Sequence, residues 1–264
     1  MSFEIRFPGG KSRAVTFSFD DGKIQDRKLA SLFNKYNVKA TFHLNSGKFG
    51  EDDYISADEV NSLYKGHEIS CHTVSHPFPS SLTDRQMISE LYEDRRCLES
   101  LAGYPVRGLS YPYGEYFNKF IDAAVFSGLE YSRTVQATYG FTLPGDFMKW
   151  HPTCHQSEAE KLVGKFFEKD DHVRIKLFYI WGHSYEFDRD NKWEYMENLL
   201  KELSGKDDVW YATNIEIKDY LTAARNLMVT LDGSALYNRY GIPVYIENND
   251  QIIKVDPGES VTIK

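Results

Sequence analysis

The sequence predicts an α/β protein: a distorted (β/α) barrel of seven or eight strands, with a small β appendage at its C-terminal end. Three observations predict this fold. Short runs of β-branched and aromatic residues alternate with amphipathic segments, 264 residues suffice for one such barrel, and chemically reactive polar residues follow several runs. The carboxyl ends of parallel barrel strands meet at one mouth, so we expect these polar residues to converge there.

Eight runs are predicted as barrel strands because each is apolar or β-branched and is bounded by turn or helix signals. They lie at 14–19, 39–44, 67–71, 107–111, 130–134, 147–151, 175–182 and 208–212. The segment 83–102 places Met87, Leu91 and Leu98 on one face, which is typical of a helix on the barrel exterior. Four capping-box sequences predict helix starts, at Ser56, Thr83, Ser157 and Thr213.

The character of the chain changes after residue 226. Short β-like pieces follow, separated by the turn sequences Asp232-Gly233, Asn248-Asn249 and Pro257-Gly258. The sequence therefore predicts a barrel domain at 1–226 and a small β extension at 227–264.

Composition excludes several classes of partner. The net charge of -8 argues against nucleic acid, which would require a basic surface. Apolar runs stay well short of the ~20 residues of a membrane-spanning helix. With no signal segment recognised, we expect no membrane partner and a cytoplasmic location. The three cysteines are expected to be free thiols, and the sequence does not indicate an oligomeric state.

Two adjacent carboxylates, Asp20 and Asp21, end the first predicted strand. Like charges repel, so one is expected to meet a cation while the other stays free as a base. Downstream, His72 and His76 are four residues apart, a spacing that puts both imidazoles on one face of a helical turn. Two histidines and one carboxylate leave a metal coordination position open for water. Taken singly, an acidic pair at a strand end is more often a solvated turn or a helix cap, and a lone pair of histidines four residues apart is similarly ambiguous.

Two further sequence motifs distinguish this chain from one with an isolated acidic or histidine pair. Tyr111-Pro112-Tyr113-Gly114 ends a third strand, and the apolar strand 177–182 runs straight into His183. With these fragments the chain resembles the polysaccharide deacetylase family, also called the NodB-homology family or carbohydrate esterase family 4. The family pattern runs TFDDG, HTxxH, RPPYG, an Asp-Trp segment and a strand ending in Leu-His, and the resemblance spans roughly residues 12–226.

The resemblance implies a metal-dependent deacetylase that hydrolyses N-acetyl or O-acetyl groups on a carbohydrate, with a metal-bound water as nucleophile. Asp20 matches the base and His183 matches the acid. The metal triad is matched by Asp21, His72 and His76. Zinc is the expected metal, although cobalt or nickel would also suit this ligand set.

An acetylated carbohydrate is the expected partner. The backbone N–H of Tyr113, in the turn that begins at Pro112, would complete an oxyanion hole, and Trp150 and Trp181 are candidates for contact with a sugar ring. Two other functions remain open: hydrolysis of a non-sugar amide on the same barrel, and carbohydrate binding without turnover. The remaining candidates are assigned to structure and packing: His43, His67, His151, His155 and Cys71.

Three positions depart from the family pattern. Ser110 stands where the third motif has an arginine, and Lys149 stands where the fourth has an aspartate. Because these two family residues belong to one network, we expect a rewired arrangement around the base and the acid. Gly182 stands where a leucine lines the acetyl pocket. The glycine is expected to open that pocket unless Trp181 or another aromatic residue fills it.

Overall fold

The computed structural model describes residues 3–169 and 175–263, which contain fourteen strands and eight helices. The strands are β1 (Glu4–Arg6), β2 (Arg13–Asp21), β3 (Thr41–Leu44), β4 (Glu68–Cys71), β5 (Gly108–Ser110), β6 (Tyr131–Arg133), β7 (Cys154–His155), β8 (Lys176–His183), β9 (Val209–Tyr211), β10 (Met228–Val229), β11 (Ala235–Tyr237), β12 (Val244–Asn248), β13 (Gln251–Val255) and β14 (Ser260–Thr262). The helices are α1 (Asp26–Lys35), α2 (Val60–Leu63), α3 (Asp84–Ala102), α4 (Asn118–Phe126), α5 (Glu160–Phe167), α6 (Tyr185–Arg189), α7 (Trp193–Leu203) and α8 (Asn214–Arg225).

Strand β2 is the centre of the parallel sheet, whose order is β6-β5-β4-β3-β2-β8-β7. One edge of β2 pairs with β8 along its length, from Arg13 opposite Lys176 to Asp20 opposite His183. The other edge is shared by β9 at the start of β2 and by β3 at its end. Residues 14–20 are therefore all buried, which explains why this strand reads as a continuous run of β-forming residues.

An irregular segment joins the two ends of this sheet. Trp150 forms a parallel bridge with Arg133 of β6, while β7, four residues further on, pairs with β8. The sheet therefore curls into a distorted barrel, and the predicted fold class is confirmed. The strand predicted at 147–151 is wrong in its first part, because Phe147–Lys149 form a 3-10 turn. The Asp146 carboxylate accepts from the backbone N–H of Met148 and stabilises that turn.

The helices cover the outside of the barrel. Met87, Leu91 and Leu98 of α3 are buried, as the periodicity predicts. The capping boxes at Ser56, Thr83 and Thr213 are present. The fourth predicted box is wrong: the His155 side chain caps a 3-10 turn at Gln156–Glu158, and α5 then begins at Glu160.

The C-terminal residues form two small antiparallel sheets, of order β10-β11-β14 and β1-β12-β13. The chain start thus pairs with the appendage, with Glu4 opposite Glu247. Phe7, Tyr220, Val244 and Ile246 share one buried cluster beneath the barrel. The division at residue 226 stays a prediction. No described helix combines the length and the apolar character needed to cross a bilayer.

Candidate metal centre and active site

The carboxyl ends of five strands of the parallel sheet carry the site residues to one mouth, as the sequence predicts. Asp20 and Asp21 end β2, and His72 directly follows β4. Arg133 ends β6 and His183 ends β8, while the turn that contains Tyr113 follows β5. Residues separated by more than 160 positions in the chain therefore surround one small volume.

The loop that carries His72 and His76 is irregular, so the predicted helical turn is wrong. Thr73 and His76 have left-handed backbone angles, with φ of 68° and 57°. This fold of the loop brings the two imidazole centroids to 4.6 Å of each other. Asp21, with φ of 82°, and Tyr113, with φ of 57°, share the left-handed conformation. Non-glycine residues in this region of φ are concentrated at functional sites, because surrounding structure must hold them there.

Asp21, His72 and His76 form a set of metal-ligand atoms. The Asp21 Oδ1 atom lies 3.6 Å from His72 Nε2 and 3.8 Å from His76 Nε2. One ligand atom from each residue lies within 4.8 Å of the others. Two imidazole nitrogens and one carboxylate oxygen match a divalent ion that keeps a position open. The residues present therefore fit the metal that the sequence predicts.

The surroundings of His72 orient its ring for metal binding. Its Nδ1 lies 2.8 Å from the backbone oxygen of Ser110. A carbonyl can only accept, so Nδ1 carries the hydrogen and the lone pair of Nε2 faces Asp21. Burial lowers the pKa of His72 to about 3 and keeps the imidazole neutral. The Asp94 carboxylate of α3 fixes the loop by accepting from the backbone N–H groups of His72, at 3.0 Å, and Ser46, at 2.9 Å.

Asp20 is buried beside this ligand set and is paired with Arg133. The Arg133 guanidinium donates to Asp20 Oδ2, and the Ser110 hydroxyl donates to Oδ1 at 3.1 Å. Burial alone would raise the pKa of Asp20, but the positive charge of Arg133 holds it well below its usual range. Ser110 and Arg133 are register partners on adjacent strands. The cation that the third motif lacks at Ser110 is thus present on the neighbouring strand.

His183 lies close to the carboxylate of Glu186, three residues further along the chain. His183 Nδ1 lies 3.6 Å from Glu186 Oε1, and Glu186 Oε2 lies 3.0 Å from His155 Nε2. Burial alone would lower the pKa of His183, but Glu186 and the two aspartates raise it above its usual value. Lys149, which stands at the family's aspartate position, is exposed.

Gly182 does not open the acyl side of the site, contrary to the expectation. A Cβ atom on this glycine would lie 2.4 Å from Cδ of Gln156, so the Gln156 side chain fills the space. Alternate residues of a strand point to opposite faces, so Trp181 and His183 share the other face. Gln156 Nε2 donates to Glu186 Oε2 at 2.7 Å and to the backbone oxygen of His183 at 3.1 Å. The glycine therefore allows Gln156 to hold the Glu186 carboxylate.

The two tryptophans predicted to contact sugar differ in their surroundings. Trp150 is 1% exposed and packs against Tyr131 and Tyr179, so its ring belongs to the core. Trp181 is half-buried and stacks under the Arg133 guanidinium at 4.3 Å, with its ring centroid 5.6 Å from that of His183. Of the two, Trp181 is placed at the mouth.

An open cavity of about 560 Å³ adjoins the ligand set. Its walls include Asp21, His76 and three tyrosines, Tyr54, Tyr113 and Tyr185. The ring of Tyr113, which follows the buried Pro112, is 53% exposed. It stacks on Phe78 with centroids 3.7 Å apart and an interplanar angle of 9°. Exposed parallel rings beside a polar pocket offer flat apolar surface to a ligand.

Five residues at the site were not predicted as functional from the sequence: Arg133, Glu186, Gln156, His155 and Asp94. Glu186 carried a signal, because it follows His183 at the i, i+3 spacing that places side chains together at a helix start. Arg133 sits at the end of a predicted strand. Its partner depends on the strand order, which the sequence pattern does not contain.

Comparison with known proteins agrees with the motifs. Residues 8–132 match the family model described as polysaccharide deacetylase. A peptidoglycan-N-acetylglucosamine deacetylase of Bacillus cereus is 27% identical over 172 residues, which cover 57% of this chain and 60% of that protein. The predicted resemblance to the polysaccharide deacetylase family is therefore confirmed.

The match to curated polysaccharide deacetylases is partial in length. The YxkH protein of Bacillus subtilis is 25% identical over 126 residues, covering 47% of this chain and 45% of that protein. The chain thus spans less than two thirds of the length of either relative.

Solved structures share the fold. A Mycobacterium smegmatis protein assigned to the polysaccharide deacetylases has a TM-score of 0.63 at 17% identity, covering 85% of this chain and 95% of that one. A family 4 carbohydrate esterase from Streptomyces lividans, in complex with acetate, has a TM-score of 0.52 at 16% identity, covering 76% of this chain and 93% of that one. At these identities the likeness concerns the fold alone.

Proposed function

We propose that this protein is a metal-dependent deacetylase that hydrolyses N-acetyl or O-acetyl groups on a carbohydrate. One observation carries the proposal: the Asp21–His72–His76 ligand set lies beside two further titratable groups, Asp20 and His183, at the ends of paired strands. A hydrolase of this kind needs a metal site together with a base and an acid.

Asp21, His72 and His76 would hold the metal, and zinc is the ion that this set of two imidazoles and one carboxylate favours, with cobalt and nickel as substitutes. When bound, such an ion supplies Lewis acidity to a water molecule and to the acyl oxygen. Ser110 holds the His72 ring in the orientation that binding requires, and Asp94 anchors the loop through the His72 backbone N–H. Burial keeps the imidazole neutral.

Asp20 is proposed as the base. Its pairing with Arg133 keeps the carboxylate ionised, so it can accept a proton from the attacking water. Arg133 acts as a positioning residue, since it touches Asp20 and the Trp181 ring and is fully buried. Ser110 fixes the second carboxylate oxygen. The base therefore has one defined orientation at the mouth.

His183 is proposed as the acid that protonates the leaving amine or alcohol. Glu186 faces Nδ1 of this ring and favours the doubly protonated form, which leaves Nε2 on the opposite side of the ring to donate. An amine leaving group depends on this proton, because an amine anion leaves very poorly. Glu186 thus takes the part that the family's fourth-motif aspartate would have.

The substrate is proposed to enter through the open cavity. The backbone N–H of Tyr113 is assigned to the acyl oxyanion, and the stacked Tyr113 and Phe78 rings would contact a sugar. Trp181 would line the acyl side of the site. The Bacillus cereus relative acts on peptidoglycan N-acetylglucosamine, as its name states, which favours a nitrogen-linked acetyl group.

The test combines metal content with acetate release from a panel of N- and O-acetylated oligosaccharides. His72→Ala should lose metal and activity together. Asp20→Asn should keep metal while kcat falls by roughly 10²–10⁴-fold. His151→Ala is a matched control, since His151 is half-buried, hydrogen-bonds with Thr134 and belongs to neither group of potential metal ligands.

Three results would contradict the proposal. Metal bound at full occupancy without acetate release from any sugar would favour a carbohydrate-binding protein. Cleavage of simple amides in preference to sugars would favour a non-sugar amidase. Full metal binding by a His72→Ala, His76→Ala double variant would refute the ligand assignment.

A further inference from the structure

A second group of potential metal ligands lies on the acid side of the mouth: His155, His183 and Glu186. His155 Nε2 lies 3.0 Å from Glu186 Oε2, and His183 Nδ1 lies 3.6 Å from Glu186 Oε1. One ligand atom from each residue lies within 4.8 Å of the others, as in the Asp21–His72–His76 set. The two groups share the same donor chemistry, two imidazoles and one carboxylate.

The nitrogen atoms of this group are directed toward its centre. His155 Nδ1 meets the Ser157 hydroxyl at 2.9 Å and accepts from the Ser157 backbone N–H at 3.3 Å. Nε2 is therefore the nitrogen turned to Glu186, and it gives up its proton to solvent when a cation binds. His183 Nδ1 is buried and has no hydrogen-bond partner among the residues that the structure describes. A ring nitrogen that faces a carboxylate at 3.6 Å can share with it either a proton, as in the proposed acid, or a metal cation.

The framework of the group is set by paired strands. His155 ends β7 and lies in register with Trp181 of β8, two residues before His183. Glu186 lies in the first turn of α6 and is held by Gln156 Nε2 at 2.7 Å. A cavity of about 170 Å³ reaches His155 and Glu186 and gives access from solvent. The exposed Arg189, 3.7 Å from Glu186 Oε1, would have to swing outward.

We propose that His155, Glu186 and His183 form a second zinc site, which inhibits the enzyme when zinc is in excess. This inference rests on the proposed function only for its inhibitory part. A zinc ion at His183 Nδ1 takes the place of the proton there, so the ring can no longer become the doubly protonated acid. The site should be weaker than the Asp21–His72–His76 centre, because its carboxylate must give up contacts to Gln156 and Arg189.

The first measurement is zinc stoichiometry by equilibrium dialysis with elemental analysis, in full-length protein. Wild type should bind one zinc tightly and a second at higher free zinc. His155→Ala should keep the tight ion and weaken the second by roughly 10–100-fold. His72→Ala should lose the tight ion and keep the weaker one. His151→Ala should match wild type, because this histidine lies outside both groups.

The second measurement is acetate release against free zinc, each variant referred to its own rate at one equivalent. Wild type should be inhibited as the second ion binds, and His155→Ala should need roughly 10-fold more zinc or greater for the same inhibition. Glu186→Gln provides an independent ligand loss if His155→Ala fails to fold, as judged by circular dichroism.

Two outcomes would overturn the second site: wild type that never exceeds one zinc per chain, or His155→Ala and Glu186→Gln that both bind two ions as wild type does. Inhibition that is unchanged in both variants would refute the inhibitory role. Two bound ions with no acetate release at any zinc concentration would instead refute the proposed function and leave the second site standing.

Discussion

Glu68, at the base of the barrel, should make the protein less stable as pH rises toward neutrality. The side chain is buried, and its Oε2 accepts from the Thr41 hydroxyl and the backbone N–H of Ile215, both at 2.9 Å. Its Oε1 accepts from the Tyr131 hydroxyl at 2.7 Å. Burial raises the pKa of Glu68 from 4.5 to about 7, and the nearby Glu216 charge adds to the rise.

The direction of this pH dependence follows from the pKa of Glu68 in the unfolded and the folded chain. In the unfolded chain Glu68 loses its proton near pH 4.5, whereas in the folded chain it keeps the proton until about pH 7. Between these values only the unfolded state gains from ionisation, so the free energy of unfolding falls as pH rises and then levels off. The gap between 4.5 and 7 amounts to about 3 kcal/mol at 1.36 kcal/mol per pH unit.

Glu68→Gln tests this reasoning because glutamine preserves the contacts. Its oxygen can accept from Thr41 and Ile215, and its amide can donate to the Tyr131 oxygen. Relative to wild type, the variant should gain about 2 to 3 kcal/mol of unfolding free energy between about pH 5 and pH 8. Ionisation of Tyr131 does not contribute in this pH range, since burial raises its pKa well above the usual value.

The assay is urea denaturation followed by circular dichroism at several pH values from 5 to 8. Glu202→Gln is the control, because this glutamate is exposed on α7 and its charge does not contribute to the pKa of Glu68. A difference between Glu68→Gln and wild type that stays constant across this pH range would refute the assignment of a neutral buried carboxyl group.

Three further predictions concern the mouth. Arg133→Met should lower the free energy of unfolding by about 3 to 5 kcal/mol, because Asp20 would be buried without its partner; urea denaturation measures this, with the exposed Arg96→Met as control. Gly182→Ala should displace Gln156 from Glu186 and lower kcat by roughly 10-fold while metal content, measured by elemental analysis, stays unchanged. Asp94→Ala should weaken metal binding by roughly 10–100-fold in a competition titration with a chelator, because the His72 loop loses its anchor.

Each of these three predictions would be contradicted by a specific result. An Arg133→Met protein as stable as wild type would show that the buried pair is not needed to balance Asp20. A Gly182→Ala enzyme with unchanged kcat would separate Gln156 from the orientation of the acid. Undiminished metal affinity in Asp94→Ala would mean that strand pairing alone fixes the His72 loop.

Local sequence patterns predicted most of the barrel. The runs that became β2 and β8 were recognised because both strands are buried on both faces and therefore read as continuous β-formers. The predictions were wrong where the hydrogen bond of one side chain, rather than the hydrophobic pattern of the segment, decides the backbone conformation. Asp146 turns 147–149 into a 3-10 segment, and His155 displaces the predicted cap at Ser157.

The motifs by themselves indicated the resemblance to the polysaccharide deacetylase family and the fold class. They also predicted that Asp20, His72 and His183 meet at the mouth, because parallel strands of a barrel end at the same edge whatever their exact register. Only the tertiary structure decided the partners of those residues. Arg133 meets Asp20 because β6 lies beside β5, and Gln156 reaches Glu186 because residue 182 has no side chain. Contacts between distant segments depend on strand order and on which face each side chain takes, and neither is written in the local pattern of the chain.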